Sequence, residues 1–142
     1  MFTMQSREVS EGTVHAILQV QSEMVYGEIG RKTRMGSKVY PPDIVGTGDT
    51  LGLIMKVGKK GIDVAGFRIV DGVVEELVNA APEEWKPMRV GEDTIRVNES
   101  VRHGFYFSAD RRRISPIIPL ATSYNGRLYS IPSRGGQFRC RN

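Results

Sequence analysis

The chain has a single cysteine, two histidines and one tryptophan. One cysteine, Cys140, allows no intrachain disulfide and points to a reducing compartment, so a cytoplasmic location is expected. His15, His103 and Cys140 are far apart, with no CxxC or HxxxH spacing. A structural zinc site wants four such ligands, so neither a metal nor another cofactor is expected. No stretch approaches the roughly 18 apolar residues of a membrane span, and Met1 to Ser10 lacks the basic start and apolar run of a signal peptide. The chain has no Gly-x-Ser-x-Gly elbow and no Ser/His/Asp order, so nothing supports a hydrolytic triad.

Nucleotide motifs are nearly present but fail on spacing. In Gly46-Thr47-Gly48-Asp49-Thr50-Leu51-Gly52 the third glycine comes one residue late, and the residues after it read as a strand where a phosphate loop should open a helix. Between Gly52 and Lys60 the glycines are too far apart, Lys59 is followed by Lys60, and Leu53-Ile54-Met55-Lys56-Val57 is too apolar for a phosphate cradle. Asn98-Glu99-Ser100 matches a glycosylation sequon, read as chance without an export signal.

What is present is enough apolar material for one folded domain: 39% hydrophobic and 25% charged residues over 142 positions. Val14, Ile17, Leu18, Gln21, Met24 and Val25 fall on one face of a helix. Val14, Ala16, Leu18 and Val20 also alternate as a strand would, but the helical pattern persists longer. The spacing predicts a helix over 13–27, capped by Thr13, with Gly27 and Gly30 as stops, Arg31, Lys32 and Arg34 beyond, and His15 facing solvent.

From Lys38 the pattern changes to short strands and turns. Pro41-Pro42 starts an extended connection, Gly46 to Asp49 reads as a loop, and Gly58-Lys59-Lys60-Gly61 as a turn between strands Leu51 to Val57 and Ile62 to Val70, with a possible bulge at Gly66. Asp71-Gly72 between two β-rich arms is the strongest local signal, because this dipeptide takes the positive φ angles of a type I′ hairpin. Further hairpins are expected around Gly91-Glu92-Asp93, Ala109 to Arg112 and Asn125-Gly126. Ala81 to Trp85 reads as one short helical turn, and Pro116, Pro119 and Pro132 should confine their segments to edges or irregular stretches. The expected fold is α+β, mostly β: an N-terminal helix on an antiparallel sheet or partly closed barrel over 38–131, with a basic C-terminal tail over 132–142.

Charge is unevenly spread. Met1 to Val101 holds 12 basic and 15 acidic residues, whereas Arg102 to Asn142 holds 8 basic residues and one acid, Asp110. The latter part also carries Phe105, Tyr106, Phe107, Tyr124, Tyr129 and Phe138. Arginine forks match phosphate oxygens and exposed rings stack unpaired bases. A non-catalytic domain binding an anionic polymer, single-stranded nucleic acid first, is therefore expected. Its contacts would be Arg111, Arg112, Arg113, Arg127, Arg134, Arg139 and Arg141, with Tyr106, Tyr124 and Tyr129 as rings and Arg134 to Arg141 as a flexible end. Phe105 and Phe107 alternate with Tyr106 and are expected in the core.

Two other readings stand beside it. The charge split suits head-to-tail contacts between copies, as in a homo-oligomeric assembly such as a phage or virus particle, so self-association is expected. His103, near Glu99, Arg102 and Tyr106, could carry metal-independent RNA cleavage. The paired acids Glu75-Glu76, Glu83-Glu84 and Glu92-Asp93 give no catalytic dyad, since neighbours on a strand face opposite ways and acids are ordinary in turns.

Overall fold

A computed structural model describes residues 11–40, 51–57, 63–80 and 82–141. The connections expected at 41–42, 46–49 and 58–61 lie outside the described residues.

Helix α1 spans Glu11–Met35. Its inner face is Val14, Ile17, Leu18, Gln21, Ser22, Val25, Tyr26, Ile29 and Thr33, a set spaced by threes and fours. The helix is longer than its apolar spacing predicts. Thr13 sits inside it rather than capping it, and Gly27 and Gly30 do not stop it. Gly30 has a packing role: a Cβ there would stand 2.7 Å from Cε1 of Phe138, so only glycine lets that ring close on the helix. Met24, expected inward, is exposed, and His15 is exposed as expected.

Five antiparallel strands follow in meander order: β1 (Gly36–Tyr40), β2 (Leu51–Val57), β3 (Asp63–Val70), β4 (Val73–Ala80) and β5 (Glu83–Pro87). Asp71 and Gly72, at φ 50° and 76°, close the β3–β4 hairpin as a type I′ turn should. Gly66 pairs with Ile54 in unbroken register, so no bulge forms there; the irregularity between β4 and β5 falls at Leu77–Asn79. Residues 83–87 form a strand, not the expected helical turn. One turn cannot nucleate a helix by itself, whereas the edge of β4 offers ready partners and Trp85 gains the Arg68 guanidinium 4.3 Å from its ring centre. Glu75 pairs with Arg68 at 2.7 Å while Glu76 turns towards Lys32, Glu28 and Arg31 of the helix, so the two acids face opposite ways.

The remaining strands are short. β6 (Arg89–Val90) pairs with β7 (Asp93–Thr94), β8 (Gly104–Phe107) with β9 (Arg113–Ile117), β10 (Leu120–Tyr124) with β11 (Arg127–Ile131), and β12 (Phe138–Arg139) with β9. All four expected hairpins form. Pro116 lies on β9, the middle strand of its sheet, contrary to the edge expected; it fits because β12 pairs only with Arg113 and Ile114. Bridges Val73↔Arg96 and Val97↔Leu120 carry the pairing from β4 towards β10, without closing a barrel. The core lies between α1 and these sheets, around Phe67, Ile95, Ile114, Ile118 and Leu120.

Candidate nucleic-acid interface

The C-terminal segment is fastened along the helix rather than left loose. Tyr129 meets His15 edge to face at 6.0 Å, the Arg134 amide donates to the Tyr26 hydroxyl at 3.2 Å, and Phe138 covers Gly30 and lies 5.9 Å from the Arg34 guanidinium. Chain and helix therefore run side by side in the same direction. His15 and Gly30 are roughly 22 Å apart at ~1.5 Å per helical residue. The late arginines are spread over that length: Arg127 beside the start of α1, Arg134 midway, and Arg139 at its end.

At that end a subset converges. The β8–β9 turn holds Arg111, Arg112 and Arg113, and β12 brings Arg139 directly opposite Arg113. The turn is locally built. Arg111 takes φ 59°, its amide bonds the Ser108 carbonyl at 2.9 Å, and its carbonyl accepts from Val39 at 2.8 Å. The Arg112 amide donates to the Asp110 carboxylate at 3.1 Å, and its carbonyl accepts from Cys140 at 2.7 Å. Ser108 donates its hydroxyl to Asp110 and accepts from the Arg113 amide at 3.2 Å. The Ser108 bond, then the Arg112 amide bond, holds the Asp110 carboxyl below its usual range, with Arg113 and Arg112 adding attraction.

That acid is engaged by the turn itself. Arg113 and Arg139 stay exposed, and among the described residues the ion pairs are Arg31–Glu28 and Arg68–Glu75. Nη1 of Arg111, whose guanidinium lies 5.4 Å from the Phe107 ring centre, and Nε of Arg112 are buried without hydrogen-bond partners. Arg141 follows Cys140 and is exposed. Arg34 and Lys38, both exposed, extend the same basic end. Sequence reading missed these two because it ended the helix at Gly27; the basic residues just past that glycine were the available signal.

The rings divide as the pleat requires. Tyr106 is 40% exposed with the Arg102 guanidinium 4.6 Å from its centre, while Phe105 is buried and Phe107 half-buried. Tyr124 is a core residue at 9% exposure, not the open platform expected, since its place on β10 points it inward beneath α1. Tyr129 is half-buried against the helix.

His103 holds its Nδ1 at 2.8 Å from the Val101 carbonyl, and Glu99 lays its carboxylate over Gly72. Among the described residues no three His, Cys, Asp or Glu side chains are grouped to hold a metal ion, and no helix is long and apolar enough to cross a membrane. No protein-family model, curated protein or solved structure matches the chain, so the reading of this basic end rests on its own geometry.

Proposed function

We propose that the protein is a non-catalytic binding domain whose basic end, Arg111, Arg112, Arg113 and Arg139 with Arg34 beside them, holds the phosphates of single-stranded nucleic acid. The observation that carries this reading is the Arg113–Arg139 register. Like charges directly opposite on paired strands destabilise a sheet. Such a pair becomes favourable once an anion lies between the two forks, and the half-buried Arg111 and Arg112 next to Arg113 add positive charge there. Tyr106 and Phe138, each with an arginine against its ring, supply aromatic surface for unpaired bases.

Fluorescence anisotropy with labelled oligo-U and oligo-dT of about 12 nucleotides tests this, a length within single-strand site sizes. Four neutralised phosphates give a slope near −0.7 each, so affinity should fall about fiftyfold between 50 and 200 mM salt. No binding at low salt would remove the proposal.

A second reading, a subunit of a homo-oligomeric assembly, is favoured by apolar side chains left outside: Val20 and Met24, one helical turn apart on α1, and Leu128, 64% exposed on β11. It requires a large, defined oligomer by light scattering that Val20→Lys with Met24→Lys breaks up. A monomer at all concentrations would discard it.

A further inference from the structure

Away from the basic end, a cleft of about 590 Å³ opens between the 98–102 loop and the strand-to-tail segment 130–133. Its walls are Val101, Ile117, Pro119, Ile131 and Pro132, and the Arg102 guanidinium stands at its side. Asn98 and Ser130 add polar groups, while the Ser133 hydroxyl is engaged by Tyr26. Walls this apolar desolvate a phosphate without replacing its water, so they suit no bare anion. A flat ring with polar edges fits better: its faces meet the proline and isoleucine surfaces and its edges meet hydroxyl and guanidinium.

The cleft is joined to the basic end by a continuous line of residues. Ser133 is in its wall; the next residue, Arg134, lines a second hollow together with Arg34 and Phe138. Phe138 precedes Arg139, the partner of Arg113. From Ser133 to Arg139 is at most about 20 Å of extended chain. Glu23 also lines the second hollow and disfavours a phosphate deep within it, which keeps the backbone path on the arginine side.

We propose that this cleft receives an unpaired nucleobase of the same strand whose phosphates the Arg113–Arg139 end holds, with Arg102, braced against the Tyr106 ring, at the edge of the base. The proposal rests on the single-strand reading above, and its test separates the two. Oligo-dT of about 12 nucleotides and an abasic sugar–phosphate oligomer of equal length carry the same backbone charge but differ in bases. Wild-type protein should bind oligo-dT about tenfold more tightly than the abasic oligomer. Ser130→Leu, at an exposed position of β11, fills the cleft without adding a ring or a charge, and should remove most of the oligo-dT preference while abasic binding stays unchanged. Unaltered thermal unfolding of that variant confirms that its fold is intact.

Equal binding of the two oligomers by wild type overturns the base cleft and leaves the phosphate end standing. A base preference left at full size by Ser130→Leu also overturns it, since the bases are then read elsewhere. Binding of neither oligomer removes both.

Discussion

With Arg139 changed to glutamate, the protein should become more stable and bind single strands about a hundredfold more weakly. Residue 139 faces residue 113 across the β12–β9 pair, so the substitution turns a repulsion into a cross-strand ion pair. Opposite charges in that register contribute roughly 0.2–1 kcal/mol, and relief of the arginine repulsion adds to it. Binding loses twice. One fork is gone, and the other is held by the new carboxylate. Two charge-assisted contacts at about 1.5 kcal/mol each amount to about a hundredfold in affinity. Urea denaturation and anisotropy on the same preparation read both effects. If stability and affinity fall together, the variant has damaged the fold and Arg139 is structural; if affinity is unchanged, the anion site lies elsewhere. Arg139→Gln should give the same signs with smaller amplitude.

Tyr26→Phe should destabilise the fold by about 2–4 kcal/mol. The buried Tyr26 hydroxyl accepts from the Ile118 amide at 3.1 Å and the Arg134 amide at 3.2 Å and donates to the Pro116 carbonyl at 3.3 Å. Removing one oxygen orphans two donors and an acceptor. Ile118 is fully buried, so water cannot replace the lost partner, and a buried unsatisfied group costs ~1–3 kcal/mol. The same site gives a pH signature. Burial pushes the Tyr26 phenol above 10, against the lowering effect of its Ile118 and Arg134 bonds. A group whose folded value is raised adds stability that is whole below the unfolded value and lost as pH climbs through the folded one. The gap between wild type and Tyr26→Phe should therefore be constant up to about pH 10 and narrow above it. Equal stability of the two proteins at neutral pH would show that the hydroxyl fastens nothing.

The four hairpins were legible because their information is local: Asp71-Gly72, Asn125-Gly126 and their flanking strands decide a turn within a few residues. Phe105, Tyr106 and Phe107 were sorted by alternation alone. What could not be read was long-range. Gly30 looks like a helix stop until Phe138, distant in sequence, lies over it. Tyr124 looks like an exposed ring until α1 covers its strand. Residues 83–87 have the composition of a helix start, and only the edge of β4 makes them a strand. The site divides the same way. The turn carrying Arg111, Arg112 and Arg113 could be placed, but the gathering of all late arginines into one patch could not. Arg127 and Arg139 belong to opposite ends of α1, and Arg34 joins the basic end only because the helix continues past Gly27.

The hydroxyl at position 26 also orders events in time. Its three backbone partners lie 90, 92 and 108 residues downstream. During synthesis, α1 and the strands β1 and β2 that pack against it emerge before residues 116–134, so the Tyr26 bonds become available only after that first cover. Contacts of such span make for slow closure, because the entropy of bringing distant residues together is lost before any contact repays it. The meander from β1 to β5 needs no such wait, since its pairing can start at the Asp71-Gly72 turn. The part of the α1 face that these distant bonds cover is therefore the part left open longest during synthesis.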